Sequence, residues 1–354
     1  MHFINKEMAV IQNQKHIFNA RLRAKTKRRE VLIKELLFAD DAAITSHTQE
    51  GLQSMLDSFS TACKEFALTI SIAKTQVMGL NVLSPPELYL DGQLLEAVDV
   101  FPYLGSIIAA NASLNPEIKR RTAKASSTVG RLSKRVWENN KLTKATKMKV
   151  YEACVLSTLL YGSESWTTYS TQEICLETFH MASLRRILGI KWQDKIPNTQ
   201  VLEEAGMLSI HSLLCKRRLR WIGHVRRMDD GRIPKDIMFG QLKVGNRPKG
   251  RPRLRYKDAV KRDLKKTDID IETWESIADD RSTWRAVCYE GVRKAEENRL
   301  QDLKLKREKR KAKERLNEMP LIIYKCPHCE KDFSVQRVLT NHIHISHTRN
   351  VDWT

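Results

Sequence analysis

Four residues near the end of the chain constrain its folding more than any other feature of the sequence. Cys326 and Cys329 are separated by two residues, twelve residues then precede His342, and four more precede His347. Two thiolates and two imidazoles at such spacing are ligands that a tetrahedral zinc ion takes in proteins. Because so small a segment cannot fold through its own core, metal binding would have to fold it. The pattern therefore predicts a structural Zn²⁺ site.

This segment resembles a two-Cys, two-His zinc finger of the ββα type. Phe333 and Leu339 fall where such a finger needs its two apolar core residues. The resemblance implies that Val335, Val338 and Asn341 occupy the base-facing positions of its helix. A valine side chain cannot form hydrogen bonds with base edges, whereas the amide of Asn341 can bond to adenine. Since one finger reads about three base pairs, we expect target positioning, RNA contact or protein contact instead of stringent sequence selection.

The charge of the chain favours a polyanionic partner. Lys and Arg total 62 against 42 acidic residues, which gives a formal net charge of +20. Such an excess makes nucleic acid, RNA or DNA, the first partner to expect. No run of 18 apolar residues occurs, so we expect no membrane span.

Two adjacent acidic residues, Asp40 and Asp41, lie between two apolar runs of strand length, residues 31–37 and 42–45. This pattern predicts a tight bend between two strands. Two carboxylates so close repel each other and are easier to keep ionised beside a cation. A hard divalent ion such as Mg²⁺ suits such a bend. The alternative interpretation is a solvated turn, since Asp favours turns in any case.

The residues that follow the acidic pair predict an α+β layer. Apolar residues recur at helical spacing from Leu52 to Phe66, which predicts an amphipathic helix. A strand follows over residues 68–72, and Asp91-Gly92 predicts the tight turn of a hairpin over residues 88–95. Strand-like residues continue from Val98 to Ile108.

Three motifs of this layer stand in a recognisable order. They are Phe38-Ala39-Asp40-Asp41, Ile70-Ser71-Ile72-Ala73-Lys74-Thr75 and Phe101-Pro102-Tyr103-Leu104-Gly105-Ser106. Together they resemble the later palm motifs of a non-LTR (LINE-type) retrotransposon reverse transcriptase. The resemblance implies a partial palm, built as an antiparallel sheet with a helix, followed by a mainly helical region that corresponds to the thumb.

The resemblance also implies roles for single residues. Asp40 and Asp41 would be two of the three metal-binding carboxylates of an RNA-directed DNA polymerase. Lys74 would approach the incoming triphosphate, and the loop that contains Tyr103 and Gly105 would grip the primer. An exposed strand-end lysine and a core aromatic residue are the alternatives for Lys74 and Tyr103.

The sequence also departs from that family. Such enzymes carry a third aspartate on an earlier palm strand, together with fingers that hold template and nucleotide. Here no Asp precedes Asp40, and the 37 residues before Phe38 are too few for these parts. We therefore expect a C-terminal fragment or decayed copy that cannot polymerise alone, because two-metal catalysis needs the full ligand set. The alternatives are a non-enzymatic zinc-finger protein whose palm remnant is scaffold, and a polymerase completed by a separately encoded first half.

Basic residues are most dense between residues 216 and 266. Residues 216–228 predict a helix whose cationic face would contact nucleic acid through Arg217, Arg218 and Arg220. The following Gly-Arg-Pro segment, residues 245–253, resembles the core of an AT-hook. Its Arg251 and Arg253 would then enter a narrow minor groove, although a basic, proline-rich loop is the alternative. Earlier helices offer further cations, namely Lys134, Arg135, Lys144, Lys147 and Lys149.

These patterns divide the chain into five parts. They are a basic N-terminal segment (1–29), a partial palm (30–110), a helical and basic nucleic-acid-binding region (111–290), a charged helical linker (291–320) and a zinc finger (321–350). The cationic block at 304–311 in the linker can serve as a nuclear-import signal. We therefore expect a nuclear location over a cytoplasmic one.

Overall fold

The computed structural model describes residues 3–4, 6–12, 35–240, 250, 253–315, 324–333 and 335–347. The chain divides into two compact units, Met1–Glu297 and Asn298–Thr354. Helices and short strands both occur, which confirms the predicted α+β class at this coarse level. Among the described helices, none combines the length and the apolar character that a bilayer crossing requires.

The first unit opens with a layer of short strands and one long helix. These elements are β1 (Phe3–Ile4), β2 (Lys6–Gln12), β3 (Glu35–Phe38), β4 (Asp41–Ser46), α1 (Gln49–Glu65), β5 (Thr69–Ile70), β6 (Gln76–Leu80), β7 (Tyr89–Leu90), β8 (Gln93–Leu94), β9 (Glu96–Ala97), β10 (Val100–Tyr103) and β11 (Ser106–Ala109). Five of these strands form one sheet in the order β3-β4-β2-β6-β9, while β10 pairs with β11 and β7 with β8.

The predicted antiparallel sheet is wrong in one respect, because the sheet is mixed. β3 runs antiparallel to β4, but β2 runs parallel to both β4 and β6, and β9 runs parallel to β6. Helix α1 carries the chain from the end of β4 back to the start of β6, so these two strands point the same way. Residues 6–12, which the sequence predicted only as part of a basic segment, fill the position between them.

The sheet has an apolar core on each face. Side chains alternate along β4, so Ile44 points toward α1 and packs in one cluster with Leu52. Ala43 points the other way and packs in a second cluster with Phe101 of β10. Asp41, two residues before Ala43, therefore lies on the face that the β10–β11 hairpin covers.

The tight turn predicted between β7 and β8 is present. Asp91 and Gly92 have φ angles of +48° and +77°, the left-handed values that this hairpin turn needs. The Asp91 carboxylate also ties the turn to α1, because it accepts hydrogen bonds from Lys64 Nζ at 2.5 Å and Ser60 Oγ at 3.2 Å.

The rest of the first unit is mainly helical. Its helices are α2 (Asn115–Leu132), α3 (Lys144–Val150), α4 (Ser157–Leu159), α5 (Ser170–Leu188), α6 (Asn198–Ala205), α7 (Ile210–Arg226), α8 (Ile233–Phe239), α9 (Tyr256–Lys266), α10 (Trp274–Asp279) and α11 (Arg281–Arg315). Gly189 ends α5 with φ +72°, a left-handed value that glycine adopts readily. Leu219 and Ile222 of α7 pack in one core with Trp274 of α10 and Trp284 of α11.

The chain is helical but irregular between α3 and α4, and one of the cations predicted for these earlier helices needs correction. The segment Tyr151–Leu156 is π-helical and lies between α3 and α4. Lys147, which the sequence placed on an exposed cationic face, is only 9% exposed. Its Nζ donates to the carbonyl oxygen of Trp137 at 2.7 Å, because burial of an ammonium group requires a partner. Lys147 is therefore a structural residue and does not face a ligand.

A buried histidine joins α5 to its neighbours. His180 is fully buried, and its Nε2 lies 3.2 Å from the carbonyl oxygen of Leu208, which can only accept a hydrogen bond. Nε2 therefore carries the proton, and Nδ1 accepts a hydrogen bond of 2.8 Å from the hydroxyl of Tyr151. Burial lowers the pKa of His180 to about 4, so the imidazole is neutral in the folded protein.

Acidification should therefore destabilise the first unit before its carboxylates are protonated. Unfolded histidine has a pKa of about 6.5, so the stability that neutral His180 contributes is complete above pH 6.5. This contribution is lost as the pH falls from 6.5 toward 4, and by about pH 4.5 the loss is ~2.5 kcal/mol. Urea unfolding followed by tryptophan fluorescence at about pH 7.5 and 4.5 measures the loss.

The matched control is His180→Gln, in which the imidazole is replaced by an amide that can form hydrogen bonds but cannot titrate. Its free energy of unfolding should fall less between the two pH values than that of the parent chain. Glu173 does not confound the comparison: burial opposes its ionisation, but hydrogen bonds from His211 and Thr168 lower its pKa to about 2. Equal losses for both proteins would contradict the assignment of the pH dependence to His180.

The second unit contains the end of α11 and a short ββα segment. As predicted, the charged region before the cysteines is helical, although the helix begins at Arg281 and not at residue 291. Strands β12 (Tyr324–Lys325) and β13 (Asp332–Phe333) pair antiparallel, and helix α12 (Gln336–Ser346) follows them.

Candidate functional site

The two aspartates lie at the turn of a β-hairpin. Phe38 of β3 pairs with Asp41 of β4, so Ala39 and Asp40 form a two-residue turn between them. Ala39 has φ +54°, a left-handed value that costs energy for a residue with a Cβ. Asp40 is exposed and Asp41 is half-buried. The turn therefore places two adjacent carboxylates, one exposed and one half-buried, at this edge of the sheet.

Tyr103 lies beside this turn. Its hydroxyl donates to the carbonyl oxygen of Leu36 on β3 at 3.3 Å. Burial, and then the negative charge of Asp41, raise the pKa of Tyr103. The structure thus brings together a predicted carboxylate and a predicted primer-contacting residue that are separated by about sixty positions in the sequence.

Lys74 lies at the same edge of the sheet as Asp41. It ends a short 3₁₀ segment, Ile72–Lys74, just before β6, and its side chain is exposed. In the register of the sheet, Lys6 of β2 lies opposite Asp41, and Met8 lies opposite Gln76 of β6. The starts of β4 and β6 therefore lie at the same edge of the sheet. One strand separates them, so their backbones are about 10 Å apart.

A buried ion pair on α2 forms hydrogen bonds with the backbone of the hairpin that contains Tyr103 and Gly105. Gly105 has φ +81°, and its carbonyl oxygen accepts a hydrogen bond from Arg121 Nη2 of α2. Arg121 Nε also donates to Glu117 at 2.7 Å, and Glu117 accepts the Ile107 N–H at 2.7 Å. Neither charged side chain was singled out from the sequence, although a Glu–Arg pair four residues apart is a recognisable helix pattern.

A second cluster of ligand atoms lies in the ββα segment. One nitrogen or sulfur atom from each of Cys326, Cys329, His342 and His347 lies within 4.8 Å of all the others. In the part of the chain that the structure describes, no other three His, Cys, Asp or Glu residues form such a group. The four residues predicted as zinc ligands are therefore brought together, whereas Asp40 and Asp41 have no third carboxylate or imidazole beside them among the described residues.

The spacing of these atoms fits zinc. A tetrahedral ion with bonds of about 2.0–2.3 Å holds neighbouring ligand atoms roughly 3.3–3.8 Å apart. His342 Nε2 lies 3.3 Å from His347 Nε2, within this range, and 3.1 Å from Cys329 Sγ, slightly below it. Burial raises the pKa of the Cys326 thiol, but backbone N–H groups of His328 and Cys329 outweigh it, and the net shift is downward. The donor set thus suits a zinc ion and favours the thiolate that such an ion needs.

The surroundings of this cluster also follow the predicted pattern. The Cys326 N–H donates to the carbonyl oxygen of Lys331, and the Glu330 N–H donates to the carbonyl oxygen of Cys326. These two bonds close the turn that contains the two cysteines. The ring of Phe333 lies 4.7 Å from that of His342. The predicted base-facing residues are exposed in this structure. They are Val335, Val338 and Asn341.

The predicted basic contacts divide into three groups. Arg220 is exposed, and Arg217 is half-buried with its Nη1 donating to the Leu160 carbonyl oxygen at 3.1 Å. Arg218 is only 2% exposed, and its Nε lies 2.5 Å from a carboxylate oxygen of Asp263, so it cannot contact nucleic acid in this fold. The third group belongs to the segment that resembles an AT-hook.

The structure describes Gly250 and Arg253 of that segment. Arg251 lies outside the described residues. Arg253 is exposed, and its Nη1 lies 3.2 Å from the carbonyl oxygen of Asn111. The next residue, Leu254, donates its N–H to the hydroxyl of Tyr169 at 2.9 Å. The C-terminal end of the segment is therefore attached to the helical body.

Comparison with known proteins supports a transposon origin. An uncharacterized transposon-derived protein of Caenorhabditis elegans is 28% identical over 263 residues, which cover 71% of this chain and 94% of that protein. A probable RNA-directed DNA polymerase from transposon BS of Drosophila melanogaster is 27% identical over 139 residues. Those residues cover 36% of this chain but only 15% of the polymerase. No family model and no solved structure matches the chain.

Proposed function

We propose that this chain is derived from the C-terminal part of a non-LTR retrotransposon reverse transcriptase, and that it binds nucleic acid and zinc. The observation that carries this proposal is the arrangement at one edge of the sheet. There the turn with Asp40 and Asp41, the exposed Lys74 and the hairpin with Tyr103 come together from three separate parts of the chain.

The donor set at the acidic turn suits magnesium. In nucleotide-processing sites Mg²⁺ is held by one or two carboxylates and by substrate phosphates, and it keeps several waters. Asp40 and Asp41 would hold the ion here. When bound, it would neutralise charge on phosphate oxygens. The cationic Lys74 would add positive charge at the same edge, and the Tyr103–Gly105 hairpin would support a nucleic-acid strand beside it.

A metal titration tests whether the acidic turn is a site or only scaffold. We expect the zinc-loaded chain to bind one Mn²⁺ ion, used as a spectroscopic substitute for Mg²⁺ and followed by loss of its free-ion paramagnetic signal. Asp40→Asn and Asp41→Asn should each weaken binding by at least ~10-fold, since even an outer-sphere partner is worth that much.

The control is Asp302→Asn, which removes the same charge from an exposed position on α11. It should leave Mn²⁺ binding unchanged. If all three variants bind Mn²⁺ like the parent chain, or if none of the proteins binds it, the acidic turn is not a metal site.

We further propose that these 354 residues do not polymerise DNA alone. Only two carboxylates gather at the acidic turn among the described residues, and two-metal catalysis needs more ligands to fix both ions. This same observation supports the second candidate, a non-enzymatic zinc-finger protein in which the palm remnant is scaffold. The two candidates differ in the Mn²⁺ titration, and both predict nucleic-acid binding.

A further inference from the structure

The first unit contains an open groove of about 610 Å³ between α7 and the start of α11. Six Lys or Arg side chains line it against two Glu side chains, so the groove is strongly cationic. Three of the six, Arg220, Arg281 and Arg285, are exposed and form no ion pair with any residue in the described part of the chain. Groups with this much unneutralised charge in one concave surface attract a polyanion.

An aromatic side chain, that of Trp221, lines the groove together with its cations. Trp221 of α7 is half-buried, and its ring centroid lies 5.5 Å from that of His224, one turn further along the same helix. Both residues line the groove with the arginines. A flat aromatic face between cations is the arrangement on which the bases of a single strand stack while phosphates meet the positive charges.

The two walls of the groove are fixed relative to each other. Trp284 of α11 is buried, and its Nε1 donates to the Leu219 carbonyl oxygen of α7 at 2.9 Å. Gly223 makes this close approach possible, since a Cβ at that position would lie 2.0 Å from Trp284 Nε1. Arg227 also donates to the carbonyl oxygen of Ala278, on the helix α10 that precedes α11, at 2.6 Å. The two helices that carry the cations are therefore held together before any ligand binds.

We propose that this groove is a binding site for single-stranded nucleic acid, in which Arg220, Arg281 and Arg285 contact phosphates and Trp221 stacks on a base. This inference rests on the proposed nucleic-acid binding and assigns it a location. Arg281 and Arg285 lie some sixty residues from Trp221, so no local pattern in the sequence indicates that they belong to one site. A duplex fits less well, because paired bases present no free face to Trp221.

Binding of labelled oligothymidylate and oligouridylate, each of about 16 nucleotides, to the full zinc-loaded chain tests the proposal by fluorescence anisotropy. Combining Arg220→Ala, Arg281→Ala and Arg285→Ala should weaken binding by at least ~10-fold at low salt. The slope of log Kd against log salt concentration should fall by about 2, since each phosphate contact in a single strand contributes about 0.7. The two oligomers distinguish DNA from RNA.

The matched control removes three exposed cations from α9 outside the groove, by Lys261→Ala, Lys265→Ala and Lys266→Ala. These lysines do not line the groove, so this variant should bind with close to the parent affinity. Its net charge equals that of the arginine variant, so a difference between the two variants cannot come from total charge. If both variants lose affinity equally, the effect is one of total charge and the groove assignment is wrong. If the parent chain binds no oligomer at all, the proposed function itself is wrong.

Trp221→Leu tests whether Trp221 stacks on a base. Leucine keeps an apolar contact with the core but has no aromatic face. Affinity for the single strands should fall by roughly 5- to 100-fold, and Trp221→Phe should restore most of it. Binding to a duplex of the same length should be weaker than to the single strands and should not respond to Trp221→Leu. Unchanged single-strand affinity in a folded Trp221→Leu chain, or a duplex preference, would overturn the proposal.

Discussion

Replacement of Cys326 by serine is expected to unfold residues 324–347 even when zinc is present. The ββα segment is too small to fold without its metal, and structural zinc contributes roughly 10–16 kcal/mol in such peptides. Serine is a poor zinc ligand, so most of this free energy would be lost. Zinc content of the purified chain, together with hydrogen exchange of the α12 amides, measures the effect. The parent chain should hold one zinc ion and protect α12, and the variant should do neither.

Two controls separate loss of a ligand from general damage. Cys175→Ser makes the same chemical change at an exposed cysteine of α5, and it should retain the zinc ion. His328→Ala removes a histidine whose ring lies 5.0 Å from that of His347 but which does not belong to the four-residue group. It should also retain zinc. A fully metallated Cys326→Ser chain, or loss of zinc from His328→Ala, would mean that the ligand set is assigned incorrectly.

Replacement of Arg218 by alanine is expected to cost about 3–5 kcal/mol of unfolding free energy in the first unit. Arg218 and Asp263 are 2% and 1% exposed, and two nitrogens of the guanidinium lie 2.5 and 3.2 Å from the carboxylate oxygens. Removal of the guanidinium leaves a buried carboxylate without its cation, which is far more costly than loss of an exposed ion pair. Urea unfolding at neutral pH measures the change.

The neighbouring Arg220 provides the control, because it lies two residues further along α7 and is exposed. Arg220→Ala should change stability by less than about 0.5 kcal/mol. The opposite pattern is expected for nucleic-acid binding, where Arg220 contributes and Arg218 does not. An Arg218→Ala chain as stable as the Arg220→Ala chain, with weaker nucleic-acid binding, would restore the role that the sequence pattern suggested for Arg218.

This contrast shows why charge patterns in sequence predict poorly which cations face a ligand. Both arginines belong to one basic run, and the carboxylate that pairs with Arg218 lies 45 residues away. Lys147 is a similar case, since its acceptor is a backbone carbonyl oxygen that no residue pattern marks. Long cationic side chains can extend inward or outward from the same helix. Only the packing of the neighbouring helices decides which direction they take.

Local signals were predicted more accurately. The turn at Asp91-Gly92 follows from the backbone preferences of single residues, so it does not depend on distant contacts. The clustering of Cys326 with His342 followed from ligand spacing within one short segment. In contrast, β2 enters the sheet between β4 and β6, and neither its pairing nor its direction has a local signal. The mixed sheet was therefore missed.

The arrangement around the acidic turn was predicted only in part from local patterns. Local pattern predicted that Asp40 and Asp41 occupy a bend between strands, and the β3–β4 hairpin confirms this geometry. The proximity of Tyr103 to Asp41 depends on how the β10–β11 hairpin covers the sheet, and only the ordered motifs of the resemblance suggested it. Glu117 and Arg121, which hold that hairpin, were not predicted because their partners are backbone groups.

The most direct test of the central claim is one assay that follows both binding and extension of a labelled primer on an RNA template, with Mg²⁺ and all four nucleotides. A retroelement-derived nucleic-acid-binding chain with an incomplete polymerase site should bind the labelled nucleic acid and leave the primer at its original length. Extension of the primer by the purified chain would contradict the incomplete site. Failure to bind primer, template or hybrid would contradict the proposed function as a whole.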